Sequence, residues 1–321
     1  MKKITTFFAA CVIALFSVAN VHGQDLGSAT ELYNAGATAL GQSNYMAALD
    51  SFNKALDMLN SMSAEERGDE GASLLKDTKE VLPKLFLRYG KQLASSGDLQ
   101  NAIEQLTKAT ELAGKYNVPE VTAEAETLMP QLLLVDASTL YNNGKLEEAI
   151  AGFRKVIAVD SLNKDAYLRM GLAYAKTGNE QEALSALEMA AELGETRNAP
   201  RQIATIYLKK SAAAVRTKDW DAVYTNAKKA NEYGTSSTGQ KLVGLAGVQL
   251  KKYDEAIEAL DGYLASQPNA KDRNSIMYNL ATAYEAKGNT AKACGYYKQL
   301  TNDPTYKQIS EYKIKTQLKC N

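Results

Sequence analysis

Few residues in this chain could do chemistry, and their positions remove most reaction types. It has one histidine, His22, and three cysteines, Cys11, Cys294 and Cys320. His22 and Cys11 both fall in the first 23 residues, which have the three parts of a secretory leader. Lys2 and Lys3 precede an apolar run from Ile4 to Val21, interrupted by Thr5, Thr6, Ser17 and Asn20. The run ends in Val21-His22-Gly23-Gln24, with Val at −3 and Gly at −1 of a small-residue cleavage pattern. Cleavage is expected between Gly23 and Gln24. The competing reading is an uncleaved anchor, but about 18 residues is the bottom of the spanning range. Cys11 lies inside the apolar run and not at its end, which argues against a lipid-attachment site.

A chain starting at Gln24 would contain no histidine. That excludes Ser-His-Asp and Cys-His catalysis and His-ligated metal sites. Cys294 and Cys320 are too few for a four-cysteine zinc site, and in an exported chain an even pair reads as one disulfide. Removing Lys2 and Lys3 from 37 basic residues against 37 acidic ones leaves a formal charge of −2. No polybasic block remains, so nucleic acid and anionic membrane are not the expected partners. No Gly-rich phosphate loop is present. The acidic pairs Glu147-Glu148 and Asp254-Glu255 lie where helices would start and suit a helix dipole better than paired catalysis. No enzyme activity, cofactor or metal is expected, and no second apolar stretch is long enough to span a bilayer.

The elements that would carry any binding residues are helices. No sustained two-residue alternation occurs, so no strand is predicted. Instead a punctuated pattern recurs. Leu93-Ala94-Ser95-Ser96-Gly97-Asp98-Leu99-Gln100-Asn101-Ala102 returns as Leu140-Tyr141-Asn142-Asn143-Gly144-Lys145-Leu146-Glu147-Glu148-Ala149. It occurs also at Leu40–Ala48, Tyr174–Ala183 and Tyr284–Ala293, with degenerate copies at 218–223 and 251–256. Gly97, Gly144, Gly178 and Gly288 are placed to end a helix in the left-handed conformation, which is cheap only without a Cβ. Asp98 and Asn179 follow as caps of the next helix. A small residue (Ala48, Ala102, Ala149, Ala183, Ala256, Ala293) lets two helices approach. A large one four positions on (Phe52, Leu106, Phe153, Leu187, Leu260, Tyr297) fills the layer between them.

This pattern resembles the tetratricopeptide repeat, or TPR, a helix pair of about 34 residues. Aligned on the small residue of the second helix, seven units fall near 29–62, 83–116, 130–163, 164–197, 204–237, 237–270 and 274–307. Tyr167, Gly171, Tyr174, Gly178, Ala183, Leu187 and Ala190 occupy family positions in the fourth. Val223 and Gly247 depart from the pattern in the fifth and sixth. The resemblance implies an all-α, right-handed TPR-like solenoid with a C-terminal capping helix, read here as continuous from 24 to 321. Extra helical sequence at 63–82 and 117–129 leads into Pro83 and Pro130. Either the first helices there are lengthened and kinked, or each proline starts a new one. Glu65-Glu66-Arg67-Gly68-Asp69-Glu70 is the candidate loop or hinge.

In this family the concave groove is lined by first-helix residues. Those positions here are Gln131, Leu134, Ser138, Tyr141 and Asn142, then Asp165, Leu168, Leu172, Ala175 and Lys176, then Thr205, Leu208, Ala212, Val215 and Arg216. Their apolar character implies a groove for a partner helix or peptide, with a core role for the leucines as the alternative. Lys241 has a place in the family's carboxylate clamp, but Leu245 stands where Asn is needed, so no clamp is expected. The implied function is a non-catalytic protein-binding scaffold or adaptor in the envelope, exported to the periplasm of a Gram-negative bacterium. The alternative is a small-ligand or glycan-binding solenoid. The tyrosines, such as Tyr296-Tyr297, and Trp220 are read as packing residues. The capping helix is expected over 305–319. Its straight path overshoots Cys294 by roughly 10 Å, so a Cys294–Cys320 bond requires an oblique crossing or unwinding near Leu318.

Overall fold

The computed structural model describes residues 21–320, all of whose regular elements are helical. Residues 1–20, with most of the leader and Cys11, lie outside the described residues. The helices are α1 (Val21–Gly41), α2 (Tyr45–Ser61), α3 (Ala64–Ser95), α4 (Leu99–Tyr116), α5 (Pro119–Asn142), α6 (Leu146–Val159), α7 (Lys164–Thr177) and α8 (Glu180–Glu192). They continue as α9 (Asn198–Thr217), α10 (Trp220–Glu232), α11 (Ser237–Gln249), α12 (Tyr253–Ser266), α13 (Arg273–Ala286), α14 (Thr290–Gln299) and α15 (Lys307–Tyr312). A π-helical turn, Lys313–Gln317, follows α15. The described residues form two compact units that divide between residues 136 and 137, inside α5. Among the described residues no helix is long and apolar enough to cross a membrane.

Within each unit odd-numbered helices pack against the even-numbered ones that follow. In the first unit these pairs are α1 with α2 and α3 with α4; in the second they are α7 with α8, α9 with α10, α11 with α12 and α13 with α14. Gly152 of α6 likewise abuts Ala137 of α5, where an added Cβ would come within 2.7 Å of the alanine methyl. The small and large repeat residues are buried at every copy, Ala102 and Leu106 with Ala183 and Leu187 among them. Each fully buried leucine contributes about 1.5–3 kcal/mol of transfer free energy, so the spacing that defines the repeat also defines the core.

The turns follow from backbone chemistry. Gly97, Gly144, Gly178 and Gly288 all have positive φ, between 76° and 85°. Where a copy lacks this glycine, Ser43, Lys218 and Lys251 take the same left-handed position. Asn44, Asp98, Asp219 and Asn289 accept a hydrogen bond from the first turn of the following helix. Asn179 does not cap α8; its side-chain amide donates to Thr177 Oγ1 at 3.2 Å.

Neither proline starts a helix. Pro83 is interior to α3 and Pro130 to α5, so these first helices are lengthened. The break in α3 lies at Gly68, with φ 56° and ψ −165°, inside the acidic stretch expected as a loop. That stretch is a kink within helical chain: a reciprocal capping box of Ser63 and Glu66 starts the helix before Gly68, and helix resumes directly after it. The expected long cap is also shorter: α15 spans Lys307–Tyr312 and the chain then widens into its π turn.

Candidate functional site

The residues assigned to a binding groove divide between the two units. Gln131, exposed, and Leu134, half-buried, belong to the first. The rest belong to the second. There α7 packs on α9, α9 on α11 and α11 on α13, so successive first helices adjoin one another. Ser138 and Tyr141 are half-buried and Asn142 is exposed at the end of α5. On α7, Asp165 and Lys176 are exposed while Leu168, Leu172 and Ala175 are half-buried. On α9, Leu208 is half-buried, and Thr205, Ala212, Val215 and Arg216 are exposed.

Tyr141, Leu168, Ala175 and Leu208 meet at the edge of one core, formed by Ala173, Tyr174, Leu187, Ile203 and their neighbours. Lys176 Nζ sits 4.2 Å from the centre of the Tyr141 ring, a cation–π contact that holds the ammonium on this face. Leu168 and Leu208 thus serve two surfaces, with one side on the core and one towards solvent. Leu172 is half-buried without joining that core. The apolar strip is therefore shallower than a run of five large side chains suggests.

Lys241, the remnant of a clamp position, is already engaged. Its Nζ pairs with Asp272 Oδ2 at 3.1 Å and lies over the Tyr263 ring, whose hydroxyl donates to Asp272 Oδ1 at 2.7 Å. Burial works against ionisation of Asp272, but the Tyr263 and Lys241 hydrogen bonds outweigh it and hold its carboxyl below the ordinary value. The same bond from Tyr263, with burial, pushes that phenol up. A carboxyl depressed in the folded state stabilises the fold above its unfolded pKa, and the contribution is lost as pH falls through the folded value. Asp272→Asn is therefore expected to narrow the gap between the urea midpoints measured at pH 7 and at pH 3. An unchanged gap would remove Asp272 from the acid response.

Tyr296, Tyr297 and Trp220 are accounted for by packing. Tyr297 is fully buried, and Tyr296 stacks on Tyr284 at 5.9 Å with its hydroxyl on Asp261 Oδ1 at 3.0 Å. Burial, with the nearby Asp261 carboxylate, pushes the Tyr296 phenol well above its ordinary pKa. Trp220 is half-buried against Val223, Tyr224 and Ala227. Glu147 and Glu148, and Asp254 and Glu255, lie in the first turns of α6 and α12. Among the described residues no cluster of three or more metal-ligating side chains occurs. In the first unit a cleft of about 590 Å³ opens to solvent beside Lys76, Lys79, Tyr116 and Glu120.

Comparison with known proteins agrees with the helix pairing. Profiles described as TPR repeat and tetratricopeptide repeat match residues 137–178, 165–193 and 244–307. This chain is a tetratricopeptide-repeat protein. All three matches lie in the second unit. No curated protein matches the chain. Among solved structures, YrrB, described as a TPR protein with an unusual peptide-binding site, is 18% identical over 56% of this chain and 90% of its own, with a TM-score of 0.34. MamA (AMB-1) is 20% identical over 54% and 90%, with a TM-score of 0.36. A tetratricopeptide repeat protein from Parabacteroides merdae is 15% identical over 74% and 85%, with a TM-score of 0.29. At those TM-scores the likenesses carry no functional argument. The repeat fold itself implies a scaffold for protein–protein interaction, in a family that is typically non-catalytic.

The sequence reading missed Arg169, Arg201 and Lys209, which are exposed on the same first helices. A helix-by-helix count of charge would have found them, because α9 contains no acidic residue.

Proposed function

We propose that this chain is a non-catalytic adaptor of the bacterial envelope that binds a partner helix or peptide across α7, α9 and α11. The observation that supports this is the first-helix face of the second unit. Adjoining helices present half-buried Leu168, Leu172 and Leu208 beside the small exposed side chains Thr205 and Ala212. A face of partly covered apolar residues among small ones suits a partner that completes the burial. The expected leader, with cleavage between Gly23 and Gln24, and the Cys294–Cys320 disulfide both suit export to an oxidising compartment.

The test is site-specific photo-crosslinking in the native cell, with the crosslinker at Thr205 or Ala212 and a control at Glu182 of α8. Thr205 and Ala212 are expected to give a discrete protein adduct and Glu182 none. Adducts from all three sites alike, or from Glu182 alone, would overturn the assignment. The intact mass of the exported chain without crosslinking reports the leader: a mass that includes residues 1–23 rules out the cleavage.

A further inference from the structure

The near-neutral chain hides a segregation of charge between the two helices of each repeat. Helices α7, α9 and α11 together carry eight basic residues against one acidic. Their partners α8, α10 and α12 carry ten acidic residues against two basic. The face made by the first helices is therefore cationic, and the face made by the second helices is anionic.

The cations are arranged in rows. Positions in α7 and α9 correspond at an offset of 40, the spacing of Ala183 and Val223. Arg169 thus matches Lys209, and Lys176 matches Arg216. Residues seven apart lie on one helix face about 10 Å from each other, so the two rows run parallel across both helices. Between them runs a row of Leu172 and Ala212, which Leu245 continues on α11. Arg169, Lys209 and Arg216 are exposed and form no ion pair among the described residues. Nothing in the repeat itself uses these charges.

We infer that the partner at this face is an acidic amphipathic helix. This rests on the proposed binding role of the same face. A helix is about 10–12 Å across, which is the separation of the two cation rows. Laid over the Leu172–Ala212–Leu245 row, it would bury an apolar stripe there. Its flanking Asp or Glu side chains would then reach Arg169 and Lys209 on one side and Lys176 and Arg216 on the other. Charge pairs of this kind set partner choice and on-rate more than total affinity. Nucleic acid fits the surface less well. Its binding comes from the phosphate backbone and needs no apolar row, and a long polyanion would also meet the acidic second helices.

The experiment uses the full chain lacking residues 1–23 and fluorescence anisotropy. The probes are three labelled helical peptides of roughly 20 residues, with one leucine pattern and Glu, Gln or Lys on the flanks, and a single-stranded oligonucleotide of similar length. The Glu peptide is expected to bind at least about tenfold more tightly than the Lys peptide, and to weaken as salt is raised. Lys209→Glu with Arg216→Glu is expected to reverse that order. Both side chains are exposed and unpaired, so the fold, checked by circular dichroism, is expected to survive. Equal binding of the Gln or Lys peptide overturns the acidic assignment and leaves the groove reading standing. Tighter binding of the oligonucleotide than of the Glu peptide also overturns it, in favour of a nucleic-acid face. Failure of all three peptides removes the groove reading itself.

Discussion

Leu260→Ala is expected to destabilise the second unit by about 2–5 kcal/mol, read from urea unfolding. Leu260 is fully buried in the core shared by α12, α13 and α14. Its side chain fills a notch that exists because residue 244 is glycine. A Cβ added at Gly244 would come within 2.4 Å of Leu260 Cγ and Cδ2. Gly244→Ala gains about 1 kcal/mol in helix propensity. The overlap opposes that gain, because Leu260 is enclosed and the added Cβ would also lie 3.2 Å from the backbone Ala256 O of the same helix. Overpacking of this kind typically costs about 1–3 kcal/mol. The two changes act on one space, so the double variant is expected to cost less than the sum of the singles. Costs that add to within about 0.5 kcal/mol would show that α11 and α12 do not meet through this pair.

That pair also shows how much of the fold could be read from residues. The small-then-large rhythm of Ala183 and Leu187, or Ala256 and Leu260, is a direct imprint of two helices in close contact. Turn glycines such as Gly178 are equally legible, because the left-handed backbone position selects for them. The helix through Pro83 was not legible, since a proline is compatible both with a first turn and with a tolerated interior position. The break at Gly68 was visible as a break, but helix on both sides of it, started by the capping box at Ser63 and Glu66, makes it a kink. At the candidate site, family positions picked out Leu168 and Lys176, but not their degree of exposure. Leu168 and Leu208 are half-covered by core residues from other helices, which no local pattern reveals. The cations escaped notice because net charge was summed over the whole chain. Charge summed helix by helix separates the two faces.

Breaking the Cys294–Cys320 bond is expected to free the C-terminal cap while leaving the helix pairs before it folded. The two residues are joined with their Cα atoms 5.8 Å apart and 26 positions apart in sequence. A straight cap would overshoot α14. The chain instead widens into the π turn at Lys313–Gln317, takes a left-handed conformation at Lys319 and returns the Cys320 N–H to Ile314 O at 2.8 Å. Other contacts hold the cap as well. Tyr306 stacks on Tyr278 at 4.9 Å, and Ile314 and Leu318 rest on the core of the last repeat. Glu285 accepts hydrogen bonds from Tyr297, Lys313 and Gln317 at 2.7–2.8 Å, largely shielded from water. A closed loop of this length stabilises by about 3.5 kcal/mol on the chain-entropy account. Cys320→Ser should therefore lower hydrogen-exchange protection across 307–320 by up to about that amount. Protection in α7 to α10 should be unchanged, since those helices share no contact with the cap. Glu285→Gln in the reduced protein should lower it further, because Lys313 then loses its counter-charge. Two free thiols in a non-reducing peptide map of the exported protein would remove the latch. Equal protection with and without reductant would show that Glu285 and the aromatic stack hold the cap unaided.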